Sequence, residues 1–561
     1  MADLYWTRRT SRRHVLRSAA VGGTGLAAAA LVGCNNSATK SGSTPAPAGT
    51  AAQTTTNAVT PKTGGRLATP GKNDPATFDM HVSSTNVTTV ATAMAYNQLV
   101  QYDPTKANEP PDAIVPDLAT KWEIAPDGMT YTFTLVKNAK FHDGVPFTSA
   151  DAKASLERNQ TPPKGMVAPR SPQLRPIKSI ETPDDYTLVI KMSRPISPLS
   201  MLPILGQSWM TMYSKKDIAG GFDFKTKVNG TGPYRQASYT RGNKVSYDRN
   251  KEYHVKDRPY LDGVDLFIIP NDATAVANIQ SGSIHLSAAA GKEDIEVLLK
   301  AMGDKATSSS IASYSPQAYN FNARRGIFAD KRVRQAASLS TSKVEAIKII
   351  TKDDATLGGY MPPSGRWTLT PDEIGKIPGY QPFSDAGVAE GKKLLAAAGV
   401  PDGTTINVLT ENQKDTEAQA LFIIDQFKRV GFKGVMVNLE TVALYDRMTK
   451  FEFDLAAVGG GAALDDPDAI FSEYYLKDSS RNFSGVGVPA VDDIFIKQSQ
   501  ELDTQKRFEM VKEMQRLAMP EFQRIQAYWR NRNLIMNKMA HGYTLHASSF
   551  NNFRYEDVWL G

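Results

Sequence analysis

Trp122-Glu123-Ile124-Ala125-Pro126-Asp127-Gly128-Met129-Thr130-Tyr131-Thr132-Phe133-Thr134-Leu135 places two strand patterns on either side of a tight turn. Tyr131, Phe133 and Leu135 alternate with Thr130, Thr132 and Thr134, the period of a strand with one buried face, and Pro126-Asp127-Gly128 is turn chemistry. The stretch predicts a β-hairpin. Downstream, Thr148-Ser149-Ala150-Asp151 follows Pro146-Phe147 as a capping-box pattern opening a helix through Leu156. Tyr186, Leu188, Ile190 and Met192 alternate as another half-buried strand, whereas Leu266-Phe267-Ile268-Ile269 is a continuous apolar run suited to a strand covered on both faces. The two kinds of strand point to separate sheets. Later, Ala420, Ile423, Ile424 and Phe427 share a helical face ended by Gly431, and Met510, Val511, Met514, Leu517 and Ala518 share another before Pro520. These stripes read as core. Strand and helix signals alternate to the end without an internal repeat, so the class is mixed α/β.

A chain of 561 residues exceeds one ordinary domain, and 41% hydrophobic with 22% charged residues is the composition of a folded globular body. The net charge of +7 is concentrated at the start, where Arg8, Arg9, Arg12, Arg13 and Arg17 face only Asp3. Basic runs in the body, such as Arg324, Arg325, Lys331, Arg332 and Arg334, are short and mixed with acids, so no nucleic-acid partner is expected.

Residues 1–34 read as an export address. Ser11-Arg12-Arg13-His14-Val15-Leu16-Arg17 precedes an apolar, Gly/Ala-rich stretch from Ser18 to Val32 and then Leu31-Val32-Gly33-Cys34. Arg12-Arg13 resembles a twin-arginine signal, with Val15 where Phe is usual, so the Sec route stays open. Leu31 to Cys34 resembles a bacterial lipobox, which implies a lipidated Cys34 and anchorage at the outer face of the cytoplasmic membrane, on the periplasmic or extracellular side. Cys34 is the single cysteine, so no internal disulfide is possible. Residues 35–61, rich in Ser, Thr, Ala, Pro and Gly, read as a disordered tether.

A series of collinear segments is similar to the family-5 extracellular solute-binding proteins, the oligopeptide, dipeptide and nickel binders of ABC transporters. It runs through Tyr96 to Asp103, Pro116 to Glu123, the hairpin, Lys140-Phe141-His142-Asp143-Gly144-Val145-Pro146-Phe147-Thr148, Gly230-Thr231-Gly232-Pro233-Tyr234, Arg249-Asn250 to Asp262, Gln280-Ser281-Gly282 and Asn320-Phe321-Asn322. Val333-Arg334-Gln335-Ala336, Leu394 to Gly399 and Asp466-Pro467-Asp468 complete it, although Thr341-Ser342-Lys343 lacks the expected Asp-Arg. The resemblance implies a periplasmic-binding-protein-like type II fold: two α/β lobes with a hinge and a small inserted domain. Lobe I would take 62–98, 226–312 and 535–561, the insert 99–225 and lobe II 313–534, with hinge crossings at Thr307 to Tyr319 and Leu534 to Gly542. It also implies a monomer that captures an oligopeptide-like solute for two permease and two ATPase subunits. Relatives carrying metal chelates, sugars or opines keep those ligands as alternatives.

The expected ligand contacts are Phe78 and His81 beside the cleft, the aromatics Tyr96, Trp209, Tyr319 and Tyr360 near lobe edges, and Gly460 in the Gly-rich loop Val458 to Leu464. In peptide-binding relatives a carboxylate before Asp-Pro-Asp pairs with the ligand's α-amino group. Here that position is Ala463, so either Asp465 takes the role or the ligand has no free ammonium at that end. Asp466-Pro467-Asp468 itself reads as turn and helix-cap chemistry. The seven histidines make no HExxH and no i, i+4 pair, so no metal site or cofactor is expected. Without a nucleophile elbow or Walker loop the chain reads as a non-enzyme, and an exported hydrolase with paired carboxylates is the alternative from another class.

Overall fold

The computed structural model describes residues 60–561 apart from 84, 109, 111, 289, 290, 413, 462, 463 and 480. The leader, Cys34, most of the tether and Ala463 lie outside the described residues. Thr60 to Gly561 group as one unit.

The hairpin forms. Ala119–Ile124 pairs antiparallel with Thr130–Leu135, and Gly128 takes φ 66° in the turn, a left-handed conformation that glycine adopts without a Cβ penalty. Thr187–Met192 and Ile177–Asp184 complete a four-stranded antiparallel sheet. Against it lies the helix Ser149–Gln160, whose capping box is present: the Thr148 backbone N–H and hydroxyl both donate to the Asp151 carboxylate, at 2.9 and 2.8 Å. This helix runs one turn past the expected Leu156.

A second four-stranded sheet has the order Arg66–Gly71, Gly263–Ile268, Lys244–Arg249, Tyr234–Thr240. Its inner strand is covered on both faces as its sequence requires. Val264 and Leu266 join a large core shared with the hairpin sheet, while Phe267 and Ile269 pack on a smaller cluster around Leu298 and Ile535. Tyr543, Leu545, Phe550, Phe553, Tyr555 and Val558 belong to that large core too.

The third sheet is seven-stranded and is built on two long antiparallel neighbours, Ala306–Phe321 and Arg524–Asn537. One end of this pair packs in the cluster of Ala306 and Ile535, and the other in a separate core with Tyr319, Phe321, Ile525 and Tyr528. These strands connect the two halves of the molecule. Their register breaks between Ala312 and Pro316. The expected crossing Thr307 to Tyr319 lies inside the first strand, but the second lies mostly upstream of the expected Leu534 to Gly542. Its first half, Arg-Ile-Gln-Ala-Tyr-Trp-Arg-Asn, buries polar and apolar residues alike, so period-two hydrophobicity does not reveal it. On the far side, Ala420, Ile423, Ile424 and Phe427 are buried as one face, and Val511, Met514 and Ala518 as another.

Candidate functional site: a cleft at the crossing strands

A cavity of about 650 Å³ lies where the two long strands pass between the halves. One wall comes from Thr69, Pro70, Asn86, Leu286 to Ala288, Ser549, Phe550, Phe553 and Tyr555, and the other from Glu411, Asp415, Thr416, Tyr445, Gly459 to Gly461 and Arg481. The crossing strands contribute Ser313, Ser315 and Gln317, then Arg530, Asn531 and Arg532. Successive strand side chains alternate between faces, so the i, i+2, i+4 spacing of Ser313, Ser315 and Gln317 carries a polar stripe into the cavity.

Local bonding fixes the Gly-rich loop. Gly460 N–H donates to the Pro316 carbonyl at 2.8 Å, and Gly461 N–H to the Tyr474 hydroxyl at 3.3 Å. A Cβ at Gly459 would sit 2.8 Å from Gln317 Nε2, so glycine there makes room for that amide, whose oxygen accepts from Gln419 at 2.7 Å.

Four arginines and two carboxylates stand on the walls. Arg530 pairs with Asp415 at 2.7 Å. Arg532 donates to the carbonyls of His546 and Ser548 at 2.9 and 2.7 Å and lies over the Phe553 ring. Arg481 reaches Glu473 at 2.9 Å, and Arg170, which precedes the short helix Ser171–Leu174, approaches the same carboxylate at 3.7 Å while stacked over Trp209. Burial, with Glu411 nearby, pushes the Tyr445 phenol up to about 12, so at neutral pH it is a neutral hydroxyl.

Of the residues expected to touch ligand, Gly460 lines the cavity. The others stand elsewhere. Phe78 is buried against Tyr239. His81 is buried, bonds the Thr211 carbonyl through Nε2 at 3.0 Å, and is held down to about 4 by that burial and by Arg158. Tyr96 packs edge-on to Tyr213; Tyr319 is fully buried in its strand; Tyr360 stacks on Tyr475 at 4.0 Å. Trp209 sits one layer behind the wall, supporting Phe550 at 5.4 Å and Arg170 at 5.3 Å. Large aromatics near a lobe edge are drawn into the core by their apolar area, and here that pull wins.

Asp465 is likewise a core group. Its carboxylate accepts from Arg366 N–H at 2.7 Å and its carbonyl from Trp367 Nε1 at 2.9 Å, which ties down the loop 362–370. Asp466 caps the helix Pro467–Tyr474 by accepting from Asp468 N–H at 2.8 Å, the cap chemistry its sequence implies. Burial raises Asp465 to about 7 from an ordinary value near 3.8. A folded-state value above the unfolded one means full stability below the unfolded value and loss as pH rises through the folded one. Asp465→Asn is therefore expected to melt progressively higher relative to the native chain between pH 4 and 8, with solute affinity unchanged. Melting curves across that range check this, and a pH-independent difference contradicts it.

The segments around His142, Gly230 and Asp117 meet one another through backbone contacts and side-chain hydrogen bonds. His142 N–H donates to the Gly230 carbonyl at 2.8 Å, and its Nε2 bonds the Gly232 carbonyl at 3.1 Å. Asp117 accepts from Asn97 at 2.7 Å, Gln98 N–H at 2.8 Å and Arg554 at 2.6 Å.

Two joined halves with an open, largely polar cleft at their crossing suit the capture of a small solute. The profile of the bacterial extracellular solute-binding proteins, family 5 middle, matches residues 113–482, and the chain belongs to that family. A heme-binding protein A of Haemophilus influenzae is 26% identical over 413 residues, covering 67% of this chain and 70% of that one. A putative ABC transporter peptide-binding protein of Brucella ovis is 33% identical over 196 residues, 34% of this chain and 36% of its own length, so this match spans well under two-thirds of that relative. Among solved structures, the periplasmic binding protein DppA of Helicobacter pylori in complex with the peptide STSA superposes with a TM-score of 0.77 at 24% identity, over 89% of this chain and 98% of that one. That likeness establishes the fold, type II with two α/β lobes. No helix among the described residues is long and apolar enough to cross a membrane.

Proposed function

We propose that the chain is the extracytoplasmic substrate-binding lipoprotein of an ABC importer, closing two lobes on an oligopeptide-like solute and passing it unaltered to the permease. The observation that carries this reading is the cavity itself. Its walls come from both halves and its volume of about 650 Å³ falls within the range of small-molecule sites, roughly 300–1,000 Å³. A ligand touching both walls favours the closed arrangement by its differential affinity. Ser313, Ser315, Gln317 and Asn531 offer donors and acceptors for peptide backbone groups, which would cost about 1–3 kcal/mol each if buried unpaired.

In this reading lobe I is 62–98, 226–312 and 535–561, the insert 99–225 and lobe II 313–534, with hinge bending at the register break. Cys34 carries the lipid, residues 35–61 are the tether, and the chain works as a monomer with permease and ATPase subunits made elsewhere. No cofactor takes part and the solute leaves chemically unchanged. The test is native mass spectrometry of the protein purified from its own cells. The expected result is a bound species released intact with a peptide-like mass; a released mixture of cleavage products overturns the reading.

A further inference from the structure

Arg170, which precedes the short helix Ser171–Leu174, and Arg481 of the second lobe converge on one carboxylate. Glu473 takes Arg481 at 2.9 Å on one oxygen and Arg170 at 3.7 Å on the other. Two guanidinium groups therefore share one negative charge, at the edge of a cavity that both line. Arg170 is 8% exposed, yet its Nε has no hydrogen-bond partner among the described residues. Trp209 covers one face of its guanidinium, and Nε remains an open donor. Burying an unpaired donor of this kind is costly unless a ligand completes it.

Elsewhere on the walls the cations are already spoken for. Arg530 is neutralised by Asp415, and Arg532 is held by two backbone carbonyls. Arg530 Nε is also without a partner among the described residues, but its charge is matched one to one by Asp415, whereas Arg170 and Arg481 share the single charge of Glu473 and Arg170 adds an open donor. We infer that the solute is anionic and that its oxyanion group is held between Arg170, before the helix Ser171–Leu174, and Arg481 of the second lobe, bridging the two halves. This rests on the reading of the chain as a solute binder and names the charge class it selects. A planar fork that binds oxyanions bidentately from each side would also make closure depend on the ligand's charge.

The experiment titrates the full chain calorimetrically with two matched probe pairs: tetra-alanine against its C-terminal amide, and gluconate against glucose. The anionic member of a pair is expected to bind about tenfold or more tightly, the scale of one charge-assisted hydrogen bond. In Arg481→Gln that preference should collapse, the anionic member losing about tenfold more affinity than the neutral one; a merely structural role would weaken both alike. Arg170→Gln should behave the same way, and Arg481→Lys should restore part of the preference. Equal binding within a pair, or a preference that survives Arg481→Gln, overturns the inference and leaves solute binding standing. Selective binding of gluconate alone sustains the inference and overturns the peptide class. No binding by any probe counts against both.

Discussion

Arg507→Met is expected to destabilise the second lobe by about 3–5 kcal/mol, the cost of leaving a buried carboxylate without its cation. Arg507 and Asp466 are both fully buried, joined by contacts of 2.9 and 3.1 Å from one guanidinium nitrogen. The same guanidinium lies 4.6 Å from the Trp367 ring centre, bonds Gln498 at 3.0 Å and stands 3.8 Å from Asp468. Asp466 also caps its helix, and Asp468 accepts from Ser200 of the helix Pro198–Leu205 at 2.6 Å. Removing the cation therefore leaves the buried Asp466 without its counter-charge at a helix start and takes a nearby cation from Asp468, which keeps Ser200 and Gln498 as donors. Methionine keeps the stem's packing, so the loss reads the charge. Adding Asp466→Asn should recover part of it, because a neutral amide in that site no longer demands a partner. Denaturant melts of the single and double variants check this, and a single-variant loss under about 1 kcal/mol would contradict the network's role.

Gly230→Ala is expected to cost about 3 kcal/mol or more, or to prevent accumulation of folded protein. A Cβ there would lie 1.9 Å from the Ala95 carbonyl oxygen and 2.4 Å from the Tyr96 ring. The strap cannot retreat, since Gly232 N–H donates to that same carbonyl at 3.0 Å and the Gly230 carbonyl accepts from His142. Gly375→Ala is the control: nothing lies within 4 Å of its added Cβ, and it should be close to neutral. Soluble yield and melting temperature measure both.

These two sites show what was readable in the sequence. The His142, Gly230 and Asp117 segments stand out as motifs because backbone-to-backbone contact at van der Waals distance admits few residue types. The hairpin, the capping box at Thr148 and the helix faces at Ala420 and Val511 were legible for a similar reason: periodicity and cap chemistry act locally.

The cleft wall obeys no local rule. Arg170, Arg481, Arg530 and Asp415 come from distant segments and become neighbours through the fold. Asp465 reads in the sequence as an acid beside a glycine loop, but its hydrogen bond to Arg366 N–H lies in tertiary structure. One signal was available: the alternating polar residues Ser313, Ser315 and Gln317 within an expected crossing segment mark a strand face turned toward something polar. Without a reason to expect a register break there, that stripe reads as ordinary solvent exposure.

Closure on a guest is the claim on which the functional account depends. Small-angle scattering of the ligand-stripped protein, recorded before and after adding back its co-purified solute, tests it directly. The account predicts a smaller radius of gyration on binding, with the solute recovered unchanged afterwards. Superimposable curves at saturating solute would contradict it.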